Sequence, residues 1–378
     1  MTRLLLHIGS PKAGSSAIQA SLLAAAEGLE QQHGLVVCPP NPYGRPLPSG
    51  FLAACHLAPE QLPRYLAVRH RRDPRQFARD VQAYEQVLRD VLRVRRSLGQ
   101  RRWSRPILRM RRELLPTPAR SAVLSSEYLW RYPLGAIQLL REQFERLGVR
   151  EFRIIAYVRE PVSAYGSFLQ QWLRLSDDLE RYNPFQWRYR MRENLEAWAE
   201  VFGAESLVVR PFRRDQLTGG SVVRDFYAQG SAWFGRELDG PEPSAINESL
   251  TIEALTLLQR LLATIPAEHR LELPWVQRMG RFRRRLRQAS ETLPCRPVQL
   301  QPWVRRQVWE RHSDDLAWLQ SSYGVLFDPP AVPDLAADLP SQESGFRLED
   351  LLIPPQDPQL VEDLAWRQLE ALLQDGPC

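Results

Sequence analysis

Hydrophobic positions along the chain switch between two spacings, and the switches mark the elements. Leu4-Leu5-Leu6, inside Arg3 to Ile8, is a short continuous apolar run, and such a run predicts a buried strand. Gly9 to Gly14 is rich in turn residues, and Ser15 to Ala26 then returns to helical spacing, with Ser15 or Ser16 as the expected N-cap. Ser121 to Ser125 (SAVLS) predicts a second strand, followed by a helix from about Gly135 to Leu147. Phe152 to Val158 (FRIIAYV) has the clearest core-strand pattern and ends at Arg159. A helix from about Pro161 to Leu175 follows, with proline at a first helical position where its missing N–H costs nothing. Leu207 to Val209 reads as a further short strand, ending in Arg210-Pro211-Phe212.

Strands that alternate with helices predict an α/β fold, a parallel sheet flanked by helices. Ligands of such sheets bind at the carboxyl ends of the strands, and here those ends carry Lys12, Glu127, Arg159 and Arg210. Residues 250 to 322 read as mostly helical and contain a basic cluster from Arg278 to Arg287 (RMGRFRRRLR). Beyond Phe327 the chain turns rich in proline and acid, which predicts a loosely packed tail with short helices. The expected organisation is one α/β domain over 1–330, a basic helical insertion at about 60–118, and the tail over 331–378.

Charge sharpens this division. The net charge is +6, which favours anionic ligands without calling for nucleic acid. Residues 64 to 112 hold sixteen arginines against Asp73, Asp80, Glu85 and Asp90, a local net of +12. Phe77, Val81, Tyr84, Leu88 and Leu92 recur there at helical spacing. That segment reads either as a solvated surface helix pair or as a lid or groove for an anion. Among fifty basic residues Lys12 is the only lysine. Codon bias accounts for the arginines but not for the one lysine left.

Other classes drop out. Cys38, Cys55, Cys295 and Cys378 have no metal-ligand spacing, histidines and carboxylates show none either, and no metal is expected. The opening apolar run is too short for a signal peptide. No stretch of eighteen apolar residues is present, so the expected compartment is the cytoplasm.

The loop reads Gly9-Ser10-Pro11-Lys12-Ala13-Gly14-Ser15-Ser16. Its glycines have the spacing of a Walker A loop, but the lysine sits two residues before the second glycine instead of directly after it. No apolar strand ends in an aspartate suited to magnesium. A nucleoside triphosphatase is disfavoured, although strand, glycine loop and helix still form a ready phosphate cradle.

HIGSPKAGSSAIQ resembles the 5'-phosphosulfate loop of sulfotransferases that use 3'-phosphoadenosine 5'-phosphosulfate (PAPS), whose bacterial members often read close to HIGxxKTGTTxIQ. Ser15 and Ser16 stand where threonines are usual, and the hydroxyls are kept. The family's 3'-phosphate site is a strand ending in Arg with Ser eight residues on. Here FRIIAYV ends in Arg159, and Ser167 follows within YVREPVSAYGSFLQQW. Alone, Ser167 would be an ordinary helix residue. Weaker similarity runs through LVVRPFRRDQL and INESL, so the resemblance covers roughly residues 3 to 30 and 120 to 260. It implies a P-loop NTPase-like α/β fold with a basic helical insertion and a helical C-terminal region.

The resemblance also implies an activity: sulfuryl transfer from PAPS to an acceptor hydroxyl of a carbohydrate or small molecule, releasing 3',5'-ADP. Its donor site would comprise Ser10, Pro11, Lys12, Ala13, Gly14, Ser15, Ser16, Arg159 and Ser167. Lys12 would stabilise charge on the leaving phosphate. Glu127, ending the strand before the Arg159 strand, would take the acceptor's proton. The alternative for Glu127 is a helix-start carboxylate. His7 is expected to pack behind the loop, and His56 and His70 are weaker candidates for the base. Asn247 and Ser249 are expected to cap a helix. Two rival functions are an ATP-dependent kinase of related fold and a non-enzymatic polyanion-binding protein.

Overall fold

The structure, a computed structural model, describes residues 2–38, 121–146, 148–243, 249–266, 273–331 and 345–374. The arginine-rich insertion, with His56 and His70, lies outside these residues, as does Asn247. In chain order the described elements are β1 (Thr2–His7), α1 (Ser15–His33), β2 (Leu35–Cys38), β3 (Ser121–Ser125), α2 (Leu134–Arg146), β4 (Val149–Val158) and α3 (Pro161–Leu173). Then come α4 (Met191–Phe202), β5 (Leu207–Pro211), α5 (Val222–Phe234), α6 (Ile252–Ala263), α7 (Leu273–Ser290), α8 (Pro302–Glu310), α9 (Ser313–Tyr323), α10 (Leu348–Leu351) and α11 (Gln359–Gln374). The chain divides into two compact units.

The first unit comprises residues 1–159, 190–244 and 317–326. It holds a five-stranded sheet of order β2-β3-β1-β4-β5, and every pairing is parallel. The expected α/β sheet flanked by helices is therefore present. Alternation along β4 assigns the two faces. Ile155 and Tyr157 join Leu5, Val123 and residues of α1 and α5, including Ile18, Leu22, Val223 and Phe226, in one core. Phe152 points the other way. It meets Phe144 of α2 and Phe202 of α4, with ring centroids 6.4 Å and 5.0 Å away. Leu4, Leu6, Ile154 and Ile155 are fully buried, each contributing roughly 1.5–3 kcal/mol. With helices on both faces, the carboxyl edge of the sheet is left for chemistry.

Two features were missed. α1 continues past Ala26 to His33 and stops at Gly34, whose φ of 58° ends it. β2 follows at once, as four apolar residues too short for periodicity to identify.

The second unit comprises residues 160–189, 245–316 and 327–378 and is helical. Leu169 and Leu173 of α3, Leu255 and Leu258 of α6, Leu286 of α7 and Val304 of α8 form its core. Leu351, Leu352 and Leu364 belong to the same core. The segment expected to be a loosely packed tail with short helices contains the short helix α10 and a sixteen-residue helix, α11. Proline and acid dominate its composition, but an apolar stripe of Leu360, Val361 and Leu364 is buried. Thr251 caps α6 by accepting from the Ala254 N–H, the role that had been expected of Asn247 or Ser249.

Candidate active site

The loop after β1 is built by backbone bonds to β4. Ile8 N–H donates to the Ile155 carbonyl at 3.0 Å, and Ser10 N–H to the Tyr157 carbonyl at 3.3 Å. Ala13 N–H then donates back to the Ser10 carbonyl at 3.2 Å, closing a turn with Pro11 second and Lys12 third. Lys12 has φ 69°. A positive φ at the third position is the type II turn requirement, usually met by Gly or Asn, and proline at the second position favours it. A lysine there carries backbone strain of about 1–2 kcal/mol, and such strain tends to collect at functional sites.

Gly14 follows at φ 83° and serves as the N-cap of α1, making no side-chain bond. The expectation that Ser15 or Ser16 caps the helix is therefore corrected: Ser15 is already the first helical residue, and the cap position before it falls on Gly14. A Cβ on Gly14 would fall 2.7 Å from Val222 Cγ1 and 2.9 Å from Phe212 Cε2. Only glycine fits both the φ and the space. Ser15 is buried and Ser16 exposed, while Ser10 and Ala13 are buried and Pro11 and Lys12 half-buried.

Three of the expected site residues converge. Arg159 Nη1 donates to the Lys12 carbonyl at 3.0 Å, and its guanidinium carbon lies 5.8 Å from the centre of the Phe212 ring. Glu127 opens a 3-10 turn over Glu127–Arg131 directly after β3. Burial pushes its carboxyl above the usual range, and the charges of Lys12 and Arg131 pull against that shift. Glu127 is thus a half-buried carboxylate displaced toward neutrality, within reach of the Lys12 charge. Ser167 lies half-buried on α3, within the second unit.

Arg210 has a different task. It holds Asp225 with Nη2 at 2.7 Å from Oδ1 and Nε at 3.1 Å from Oδ2. The same fully buried carboxylate accepts from the Tyr157 hydroxyl at 2.9 Å and from the Thr218 N–H at 3.1 Å and hydroxyl at 3.0 Å. Burial alone would raise the Asp225 carboxyl, but Arg210, Thr218 and Tyr157 outweigh it and hold the group below the usual range. Burial and this carboxylate push the Tyr157 hydroxyl well up. Asp225 gave no sequence signal, because its partners Thr218, Arg210 and Tyr157 stand at no local helical or strand spacing from it.

No family model matches the chain, and no curated protein matches it. Among solved structures, the crystal structure of a sulfotransferase from Alicyclobacillus acidocaldarius is 16% identical, over 72% of this chain and 95% of that one, with a TM-score of 0.31. A superposition that loose transfers neither a fold nor an activity.

His7 lies behind the loop, as expected. It is fully buried, and its Nδ1 is 2.7 Å from Ser125 Oγ, its register neighbour on β3. Burial lowers its pKa to about 3, so the ring is neutral under working conditions. Glu160, unremarked in the sequence, caps α3 through its carboxylate, which accepts from the Val162 and Ser163 N–H groups at 2.6 and 2.7 Å. Pro161 takes the first helical position, as expected. Among the described residues no cluster of three His, Cys, Asp or Glu side chains is placed to hold a metal, and no helix is long and apolar enough to cross a membrane.

Proposed function

We propose that this chain is a sulfotransferase of P-loop-like fold that moves a sulfuryl group from PAPS to an acceptor hydroxyl. The observation that carries the reading is that the charge of Lys12 reaches the Glu127 carboxyl. A strained loop lysine and a carboxylate of raised pKa act on each other at the carboxyl edge of a parallel sheet. The residues fit an anionic donor. The loop offers the first N–H groups of α1, a glycine cap with no side chain in the way, and the Ser15 hydroxyl, which is buried and makes no hydrogen bond among the described residues.

PAPS supplies the sulfuryl group and leaves as 3',5'-ADP. Lys12 and the N–H groups at the start of α1 stabilise negative charge on the leaving phosphate. Lysine suits that position because a compact ammonium follows moving charge better than a planar fork. Glu127 takes the acceptor's proton. Arg159 holds the 3'-phosphate and also keeps the Lys12 backbone in place. Ser10, Pro11, Ala13, Gly14 and Ser16 complete the cradle. A glycan or small-molecule hydroxyl is the acceptor.

Detecting labelled sulfate on glycans, lipids and small metabolites offered together with PAPS tests this reading. Transfer that disappears in Lys12→Ala supports it. Phosphoryl transfer from ATP with no sulfuryl transfer would assign the site to a kinase.

A further inference from the structure

Two buried polar atoms behind the loop make no hydrogen bond among the described residues: His7 Nε2 and Ser15 Oγ. They face the same point. A Cβ built on Gly9 would stand 2.6 Å from His7 Nε2 and 2.5 Å from Ser15 Oγ. Both residues are at least nine-tenths buried. A buried unpaired donor or acceptor costs about 1–3 kcal/mol, so two of them aimed at one small space need an account. The space is held by glycine: any side chain at position 9 would fill it.

We propose that His7 is a positioning residue that fixes the Ser15 hydroxyl as a donor toward the anion held by the Gly9–Ser16 loop. The inference rests on the donor reading above. The ring is neutral, so one nitrogen donates and the other accepts. Ser125 O–H donates to Nδ1 across the 2.7 Å contact. Nε2 then carries the proton and points it at Ser15 Oγ, and the bond between them, which is not made in this structure, closes when an anion occupies the loop. With its lone pair engaged from behind, the Ser15 hydroxyl turns its own proton to the front of the loop, where a phosphate or sulfate oxygen accepts it. In the opposite tautomer Nδ1–H donates to Ser125, Nε2 presents a lone pair to Ser15, and a Ser15 proton turned toward it is lost to the loop. No net proton is gained or lost between the two arrangements. An anion in the loop selects the first. His7 touches neither donor nor acceptor substrate and acts through Ser15.

The test has a spectroscopic arm and a binding arm. Nitrogen-15 NMR of labelled histidine, with the His7 signals assigned by their loss in His7→Asn, reads the tautomer in the full chain. The proposal expects Nε2 to be the protonated nitrogen with inorganic sulfate present, and Ser15→Ala to move the His7 signals even without ligand. His7 signals that are identical in the wild type and in Ser15→Ala would overturn it. In the binding arm, Ser15→Ala and His7→Asn should each weaken 3',5'-ADP by roughly tenfold, and the double variant should be no worse than either single one. His7→Gln sets an amide N–H near the place of Nε2 and should stay within about threefold of the wild type. A purely structural role for His7 would make Asn and Gln equally damaging, with losses that add to that of Ser15→Ala. That pattern overturns the proposal. A wild type that does not bind 3',5'-ADP sinks the donor reading instead, and the NMR arm still decides the relay.

Discussion

Arg159 Nη1 holds the carbonyl of Lys12 at 3.0 Å, so the strand-end arginine and the loop lysine form one unit. The bond gives Arg159 a task beyond the 3'-phosphate contact proposed for it. Arg159→Ala should weaken 3',5'-ADP by about tenfold or more, the scale of a lost charge-assisted bond. Adenosine 5'-phosphosulfate, which lacks the 3'-phosphate, should weaken by less, through the loosened loop. Titration calorimetry with both nucleotides checks this. Equal losses would leave Arg159 the loop task alone.

Lys12 sits in a left-handed conformation, which glycine adopts freely. Lys12→Gly should therefore leave stability within about 1 kcal/mol of the wild type, because strain relief offsets the entropy of a freer unfolded chain. Turnover should nevertheless collapse. Gly14→Ala is the opposite case: its Cβ meets Val222 and Phe212, and thermal unfolding should show a clear loss. Activity and stability separate at one position of the loop and fall together at the other.

Glu127 predicts a pH signature. Its raised pKa places the acid limb of kcat/KM above the ordinary glutamate value. The Arg131 charge lowers that pKa, so Arg131→Ala should move the limb to higher pH and leave the alkaline plateau in place. Glu127→Gln should lose turnover by about a hundredfold or more. For stability the sign is as follows. A group with a raised folded pKa contributes stability that is present below its unfolded pKa and lost as pH rises through the folded value. Glu127→Gln should thus be at least as stable as the wild type near neutrality, with any gain vanishing in acid. Melting temperatures across pH measure it.

Arg210–Asp225 and Arg213–Asp215 are both drawn at 2.7 Å, yet they should differ sharply. Asp225 is fully buried, and its carboxylate binds three residues, Tyr157, Arg210 and Thr218. Its replacement by Ala strands Arg210 and the Tyr157 hydroxyl and should cost about 3–5 kcal/mol. Asp215 is more than half exposed, and its removal should leave denaturant midpoints unchanged.

What the sequence disclosed follows from range. β1, β3 and β4 were legible because buried parallel strands are continuous apolar runs, and the loop was legible because glycine spacing and one lysine are local signals. β2 escaped because four apolar residues after a helix have no period to read. The Gly14 cap escaped because a Gly-Ser-Ser sequence offers serines that look better suited. Asp225 reads as an ordinary helix carboxylate until Arg210, fifteen residues earlier, folds against it. His7 and Ser15 are adjacent only once the loop has turned. Short helices were expected in the C-terminal segment, but the length of α11 was not read, because proline and acid dominate the segment around it.

The most direct measurement is calorimetric affinity of the full chain for 3',5'-ADP against ATP, in the wild type and in Lys12→Ala. The account predicts that 3',5'-ADP binds the wild type tightly, ATP far more weakly, and that Lys12→Ala weakens 3',5'-ADP while the fold survives. Tight ATP binding with no binding of 3',5'-ADP would contradict it.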